Sequence, residues 1–195
     1  MYELNRKVRT KVENTNEVFL IETDRLRLRE MSEDDFDACK AFLSDPEVMY
    51  AYEHGFDDDE VHAWIAKNRK RYADDGFGLW MIEEKKTGDR IGDCGITWQL
   101  INNEPVLEIG YHLRKDKWHQ HYASEAAKAC KKYAFETLKA DRITSIIRDI
   151  NTSSQNIATA NGMKPVEFIT KHYWDMDMPH IVYEITAEDY FGHQE

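Results

Sequence analysis

The chain has 195 residues, of which 42% are hydrophobic and 32% charged, and its formal net charge at pH 7 is −11. These values indicate one globular domain with a sizeable core rather than a disordered chain. The acidic balance argues against a nucleic-acid partner, which needs a basic face, but allows a coenzyme held at a local positive site. It would also favour a cationic substrate such as an amine, although composition alone favours plain solubility as the explanation of the charge.

Neither a secretory hydrophobic segment nor an apolar run near the length of a membrane span is visible. We therefore expect a soluble, cytoplasmic protein without a membrane partner. Cys39, Cys94 and Cys130 lie in apolar patterns and lack CxxC spacing. That arrangement predicts small buried side chains, and it indicates neither a disulfide framework nor a zinc site.

The first half of the chain begins with polar residues of mixed charge at 1–18, which predict an N-terminal arm. Leu26 and Leu28 alternate with arginines, the pattern of a half-buried strand. Acidic turns at 32–35 and 57–60 each precede a helical stripe of apolar side chains. These turns predict one helix to about residue 43 and a second to about residue 72, with the acids favoured by the helix dipole.

The second half alternates strands and helices. The patterns predict strands at about 78–84, 90–100, 105–113, 143–150, 165–174 and 178–186, and helices at about 120–138 and 153–161. A whole helix separates the third of these strands from the fourth, so those two strands are expected to run parallel. The last two strands are expected to form a hairpin.

The order of elements predicts an α/β (α+β) fold of three layers. We expect a mixed sheet of six or seven strands, largely antiparallel with one parallel pair at the centre, and helices on both faces. Residues 19–187 are expected to form a single domain between the arm at 1–18 and a C-terminal tail at 188–195.

The most informative stretch joins a strand to a helix. An apolar strand, LEIGYHL at 107–113, passes through a charged turn into WHQHYASEAA at 118–127. This order places the unpaired amides of a helix N-terminus just beyond the carboxyl end of a strand, where a phosphate group can be held. A second polar motif, NTSSQNIATANGM, follows at 151–163.

Together these segments resemble the GNAT superfamily of acyl-CoA N-acyltransferases. The resemblance is closest to the branch of ribosomal-protein N-terminal acetyltransferases and many small-molecule acetyltransferases. The usual motif there is WGxGYATEA, and here both glycines are histidines, His119 and His121. Similar strings at 21–29, 43–49 and 76–80 extend the resemblance over most of the chain. It implies the three-layer GNAT fold and direct attack of an amine on the thioester of acetyl-CoA.

The resemblance also implies the residues that bind coenzyme A. The pantetheine arm is expected along Tyr111, His112 and Leu113. The pyrophosphate is expected over the amides of His119, Gln120, His121, Tyr122, Ala123 and Ser124. An ordinary strand–turn–helix without a ligand is the structural alternative.

Asn151 and Ser154 match the family's Asn-x-x-Ser. The resemblance implies that Asn151 holds the pantetheine amides and that Ser154 lies near the thiol. Many relatives protonate the leaving thiolate with a tyrosine, but here that position is Ala158, so Ser154 or water must serve. Helix capping explains Asn and Ser equally well, and both roles can coexist.

The two histidines raise a question about the backbone. If it is left-handed at their positions, each histidine costs about 1 kcal/mol relative to glycine. The amide donors survive the substitution, and an imidazole beside a phosphate can add positive charge. A metal site built from His112, His119 and His121 is a weaker alternative, and we expect no metal.

Glu108 is the candidate general base because it interrupts an apolar strand two residues before Gly110. The alternative is that its side chain simply points to solvent. Glu125 is a weaker candidate, since a glutamate in the first turn of a helix already interacts with the helix dipole. The acceptor pocket is expected from the loop at 50–56 and the hairpin at 172–180, whose aromatic and acidic side chains would suit a cation. The alternative, favoured for most of these aromatics, is that they are plain cross-strand pairs.

We therefore expect an N-acetyltransferase that uses acetyl-CoA and a primary amine, either a peptide or protein N-terminus or a small molecule. The alternative is a non-catalytic acyl-CoA-binding sensor, favoured by the missing glycines and the missing tyrosine. An exposed terminal hairpin could support a homodimer.

Overall fold

The computed structural model describes residues 18–173 and 175–192, and the statements below refer to these ranges. The strands are β1 (Ile21–Glu22), β2 (Leu26–Arg29), β3 (Leu79–Glu84), β4 (Arg90–Ile101), β5 (Glu104–Leu113), β6 (Arg142–Arg148), β7 (Lys164–Tyr173) and β8 (Met176–Thr186). The helices are α1 (Phe36–Leu43), α2 (Asp58–Asp75), α3 (Tyr122–Glu136), α4 (Thr152–Ala160) and α5 (Ala187–Gly192). Apart from Val18, the expected N-terminal arm lies outside the described residues, as do the last three residues of the expected tail.

All eight strands belong to one sheet in the order β1-β2-β3-β4-β5-β6-β8-β7. Neighbouring strands are antiparallel except β5 and β6, which run parallel. The mixed sheet with one parallel pair is therefore confirmed. The strand count exceeds the predicted six or seven because the two-residue β1 was not visible as an alternating pattern.

The sheet separates two hydrophobic cores. In β3, Trp80 and Ile82 pack in the core that contains the buried face of α3, whereas Leu79 and Met81 pack in the core formed with α1 and α2. Successive strand residues point to opposite faces, so one short strand contributes to both cores. Helices thus cover both faces, and the predicted three-layer arrangement is confirmed.

Helix α2 begins at the predicted acidic turn and continues beyond the expected end near residue 72, to Asp75. The side chain of Asp57 accepts a hydrogen bond from the Glu60 amide at 2.9 Å, and the Glu60 side chain accepts one from the Asp57 amide at 2.9 Å. This reciprocal pair satisfies two amides at the helix start. Gly76 ends the helix with φ of 79°, a left-handed conformation that glycine adopts without strain.

The three cysteines are buried and free, as predicted. The Cys94 sulfur on β4 lies 3.5 Å from the Cys130 sulfur on α3, so the pair packs between sheet and helix. Within the described ranges, no helix has the length and apolar character needed to cross a membrane.

Candidate active site

A cavity of about 930 Å³ lies where β5 and β6 separate. The two strands pair at one register position, Glu108 opposite Thr144. Two β6 hydroxyls bond to β5 carbonyls: Thr144 Oγ1 donates to Leu107 O at 2.9 Å, and Ser145 Oγ to Ile109 O at 3.0 Å. On the side that faces β6, the C-terminal part of β5 consequently borders the cavity, while its other side stays paired with β4.

Nearly all of the predicted site residues line this one cavity. They are Glu108, Tyr111, His112, Leu113, His119, His121, Tyr122, Ala123, Ser124, Asn151 and Ser154. Gln120 is the exception, because its side chain donates to Asp116 O at 3.1 Å and its carbonyl accepts from Arg25 Nη1 at 3.0 Å. The contribution predicted for Gln120 is thus limited to its backbone amide.

One end of the cavity is formed by the start of α3. The amides of Tyr122, Ala123 and Ser124 donate to no acceptor among the described residues, and all three residues line the cavity. Unpaired amides at a helix N-terminus, together with the helix dipole, form a site that fits a phosphate group. This end therefore fits the pyrophosphate of a coenzyme.

Both histidines of the turn are left-handed. The φ angle is 58° at His119 and 64° at His121, the residue that precedes α3. Both side chains are exposed at the cavity rim. The turn thus has the backbone conformation that glycines would favour, and the histidines adopt it at a steric cost.

Two buried contacts hold the turn against β3. Glu84 accepts a hydrogen bond from Lys117 Nζ at 2.7 Å and another from the Tyr122 hydroxyl at 2.6 Å. The Lys117 ammonium and the Tyr122 hydroxyl lower the pKa of Glu84 to about 2. This carboxylate therefore fixes the residues that flank the two left-handed positions.

Glu125 has a structural role on the other side of α3. It accepts hydrogen bonds from Thr23 Oγ1 at 2.5 Å and from Arg25 Nε at 2.6 Å. The same Arg25 also binds the carbonyl of Gln120. Glu125 does not line the cavity, so the structure excludes it as a base acting there.

The start of α4 forms the opposite wall. Asn151 Oδ1 accepts from the Ser154 amide at 3.0 Å, which makes Asn151 the N-cap of the helix. The Tyr111 hydroxyl donates to the Ser154 carbonyl at 3.3 Å and ties β5 to α4 across the cavity. Capping uses only Asn151 Oδ1, and the amide nitrogen and the Ser154 hydroxyl remain for other contacts.

Glu108 lies in the middle of the cavity wall. Its side chain is half-buried, and Oε1 accepts a hydrogen bond from the Ile146 amide at 3.1 Å. Burial raises the pKa of Glu108, and the positive charges of Lys171 and Arg71 partly offset that effect. The carboxylate therefore faces the cavity rather than open solvent, with a raised proton affinity.

A second ionisable pair lies on the same face of β5. His112 Nδ1 lies 2.8 Å from Asp93 Oδ1, and the His112 amide donates to the same oxygen at 3.1 Å. Asp93 is fully buried, and its Oδ2 accepts from Trp64 Nε1 at 2.9 Å. Asp93 was not among the predicted site residues, although an acidic residue within the apolar strand IGDCGI was an available signal.

The described residues contain no group of three or more His, Cys, Asp or Glu side chains placed to hold a metal ion. His112, His119 and His121 do not form such a cluster, and His112 instead pairs with Asp93.

The other end of the cavity is formed by the loop at 50–56, α2 and the terminal hairpin. Tyr50, Tyr52, His54, Phe56, Tyr173 and His180 contribute to its lining, as predicted for the two segments. Trp174, which belongs to the segment expected to contribute to the pocket, lies outside the described residues.

The expectation that acidic side chains of these segments would line the pocket is wrong. Glu53 forms an ion pair with Arg148, and Asp177 lies 3.0 Å from His172 Nδ1 on the exposed hairpin. The lining contains the cations Lys67, Arg71 and Lys171 instead.

Comparison with known proteins agrees with this architecture. A family model described as the acetyltransferase (GNAT) domain matches residues 25–164. The protein YkkB of Bacillus subtilis (strain 168) is 36% identical over 163 residues, which cover 83% of this chain and 92% of YkkB.

Solved structures show the same fold. A GNAT-family acetyltransferase from Bacillus anthracis superimposes with a TM-score of 0.75 at 24% identity, covering 88% of this chain and 99% of the other. The ribosomal L7/L12 alpha-N-protein acetyltransferase RimL, in complex with coenzyme A, superimposes with a TM-score of 0.69 at 15% identity, covering 86% and 97%.

Proposed function

The chain belongs to the GNAT acetyltransferase family and is an N-acetyltransferase, and we propose that it transfers the acetyl group of acetyl-CoA directly to a primary amine in a ternary complex. The observation that carries this proposal is one cavity that contains both the free amides of α3 and the carboxylate of Glu108. A phosphate site and a base facing the same cavity are what acetyl transfer from a coenzyme to an amine requires.

The coenzyme half of the proposal uses mainly backbone groups. The amides of Tyr122, Ala123 and Ser124 fit the pyrophosphate, and the edge of β5 that β6 leaves open fits the extended pantetheine arm. Asn151 and Ser154 face that edge from α4. The coenzyme supplies the acetyl thioester, and the described residues supply its binding and orientation.

The acceptor half depends on Glu108. An amine attacks only after it has lost its proton, and substrate amines titrate near 8 for an α-amine and near 10.4 for a lysine, so a base is useful at neutral pH. Because burial raises the pKa of Glu108, the carboxylate binds a proton more tightly than an ordinary glutamate would. Glu108 then takes the proton of the ammonium group, directly or through water.

His112 supports this step by position. Asp93 holds His112 Nδ1, which favours the tautomer whose Nε2 is an acceptor. His112 and Glu108 are four residues apart on one strand, so both point to the same face. Ser154 or water protonates the leaving thiolate, and because a thiol titrates near 8.5 the need for this acid is modest.

Two measurements in sequence test the proposal. Acetyl-CoA at about 1,000 times its dissociation constant should stabilise the protein by about 4 kcal/mol in thermal unfolding. Release of coenzyme thiol should then depend on an added amine.

Absence of stabilisation by every acyl-CoA contradicts the proposal. Stabilisation without amine-dependent thiol release favours the second candidate, a non-catalytic acyl-CoA sensor. The strained histidines in the phosphate turn are the observation that keeps this candidate open.

A further inference from the structure

Given the proposed acetyl transfer, we infer that the acceptor amine also carries an anionic group, which Arg71 and Lys67 bind while the amine lies at Glu108. This inference names the class of substrate. It replaces the cationic acceptor that the sequence suggested with an acceptor that has both an amine and a carboxylate or phosphate.

The first observation is a set of three cations that form no ion pair with a carboxylate among the described residues. Lys67 and Arg71 are four residues apart on α2, so they share one face of the helix, and both line the cavity. Lys171 lines it from β7. Among the described residues, no carboxylate forms an ion pair with any of the three.

The surrounding carboxylates do not neutralise this group. Glu60 also lines the cavity, but His54 Nε2 binds it at 2.9 Å. Asp75, one turn beyond Arg71, is exposed and outside the cavity lining. Glu108 interacts with the charges of Arg71 and Lys171, but one carboxylate offsets only one of the three positive charges. A local excess of positive charge in a chain of net charge −11 therefore faces the cavity.

The second observation is that Arg71 is held in place. Its Nη1 donates to Asn68 Oδ1 at 3.1 Å, and the same oxygen accepts from the Leu79 amide at 3.0 Å. Asn68 is fully buried, so it anchors the guanidinium to the start of β3. A guanidinium held by one donor retains others for a carboxylate or phosphate.

The third observation is location. Leu79 pairs with Gly95, and Gly95 pairs with Gly110, so Arg71 is anchored near the Glu108 end of β5. With a rise of about 3.4 Å per residue, the three residue steps from Gly110 to Leu113 span about 10 Å. The turn into α3 begins only after Leu113. Arg71 is therefore far from the amides that fit the coenzyme's pyrophosphate, and its charge remains for the acceptor.

Lost hydration and mutual repulsion favour the binding of an anion by these cations. Partial desolvation at the cavity rim and the nearby Arg71 charge lower the pKa of the exposed Lys67, and burial lowers the pKa of the half-buried Arg71. An anion that enters between them relieves the repulsion and replaces lost hydration with charge-assisted hydrogen bonds. A diamine or polyamine at this end would add to the repulsion.

Matched acceptors test the inference. Initial rates of coenzyme release are measured for amino acids against their carboxamides, and for phosphoethanolamine against ethanolamine, with simple diamines as a third group. We expect kcat/KM to be at least about tenfold higher for one anionic member of a pair, a difference of about 1.4 kcal/mol. Whether the carboxylate or the phosphate pair shows it identifies the anion.

Substitutions on α2 test which side chains cause the preference for anionic acceptors. Arg71→Met should bring the rates within an anionic and neutral pair to near parity by raising KM for the anionic member, and Lys67→Met should reduce the preference in part. Arg69→Met is the matched control, because Arg69 is on the same helix, pairs with Glu33 at 2.7 Å and does not line the cavity. It should preserve the preference.

Equal or faster acetylation of carboxamides, ethanolamine or diamines by the wild-type protein overturns this inference and leaves acetyl transfer intact. No transfer to any amine overturns the proposed function as well. The wild-type comparison decides the question even if Arg71→Met fails to fold, and an unchanged preference in a folded Arg71→Met protein also overturns the inference.

Discussion

The two ends of the cavity are built in different ways. The end at α3 comes from one continuous run of residues, 111–124, and offers mainly backbone amides. The other end collects side chains from α2, the loop at 50–56 and the terminal hairpin. A site made of backbone should tolerate changes in side chain, such as His119 and His121 in place of glycines, whereas a site made of side chains should change its ligand with each substitution.

The ends also differ in charge. Free amides and exposed histidines border the α3 end, while charged side chains, among them Glu108, Lys67, Arg71 and Lys171, border the other. If this division is functional, changes near Glu108 should alter turnover without altering coenzyme affinity. Changes at the turn should alter stability or coenzyme binding first.

The largest expected effect is that of Glu108→Gln. The substitution preserves shape and an acceptor for the Ile146 amide, but it removes the base, so kcat should fall by about 100-fold or more near neutral pH. The loss should shrink as the pH rises, because more of the amine is then already neutral. Steady-state rates measure the loss of turnover and its pH dependence, and calorimetry with acetyl-CoA measures the coenzyme affinity, which should not change. Unchanged turnover from about pH 6 to about pH 9 would remove Glu108 from the mechanism.

The same variant has an opposite effect on stability. Burial raises the pKa of Glu108, so the folded protein holds this proton more tightly than the unfolded chain. The free energy of unfolding therefore falls as the pH rises from the unfolded pKa, about 4.3, through the raised folded value. Gln does not ionise, so Glu108→Gln should be more stable than wild type above that window and not below it. Urea unfolding at several pH values measures the difference.

Asp93→Asn should destabilise the acceptor end. Asp93 accepts three hydrogen bonds from His112 and Trp64, and an asparagine cannot accept from both sides. We expect a loss of about 2 kcal/mol in the free energy of unfolding and slower turnover with unchanged coenzyme affinity. Asp74→Asn, on the surface of α2, is the control and should stay within about 0.5 kcal/mol of wild type. A similarly small change in Asp93→Asn would show that the pair is not structural.

The fold was largely predictable because most elements are long and have clear ends. Helix α2 begins after the acidic Asp57 and ends at Gly76, and both signals are visible in the sequence. The elements that escaped prediction, β1 and α5, have two and six residues. Segments this short contain too few residues to show a period.

The site was predictable where it is contiguous. The order of strand, turn and helix at 107–124 is enough to predict a phosphate site. The Asp93–His112 pair depends instead on the register of β4 and β5, whose turn is formed by Asn102 and Asn103 with φ of 52° and 67°. Counting outward from that turn places Asp93 opposite His112, so this pair was within reach. The position of Arg71 could not be predicted in this way. The packing of α2 on the sheet is not fixed by residue-to-residue pairing that can be counted along the sequence.

Glu84→Gln tests the support of the turn. Because the pKa of Glu84 in the folded protein is lowered to about 2, its contribution to stability is complete above the unfolded pKa and disappears as the pH falls toward 2. Wild type should exceed Glu84→Gln by about 2 kcal/mol near neutral pH, and the difference should vanish in acid. Lys117→Met should cause part of the same loss. A difference that does not depend on pH would contradict the ion pair as its source.

The smallest expected effect concerns His121, and it separates strain from function at the α3 end. His121 has φ of 64°, so His121→Gly should relieve the left-handed backbone and raise the free energy of unfolding by up to about 1 kcal/mol. Gln120→Gly is the matched control, because Gln120 is not among the residues with positive φ, and it should be destabilising. Urea unfolding without ligand measures the strain, and calorimetry with coenzyme A measures the binding.

If the imidazole serves the phosphate, His121→Gly should gain stability and lose affinity together, since the charge disappears with the strain. A gain in stability with unchanged affinity would mean that the backbone amides bind the coenzyme alone. A loss of stability like that of Gln120→Gly would contradict the strain itself. Either of the first two results preserves the contrast between the ends, because a backbone site should change its affinity much less than the Arg71 side-chain site when one residue is replaced.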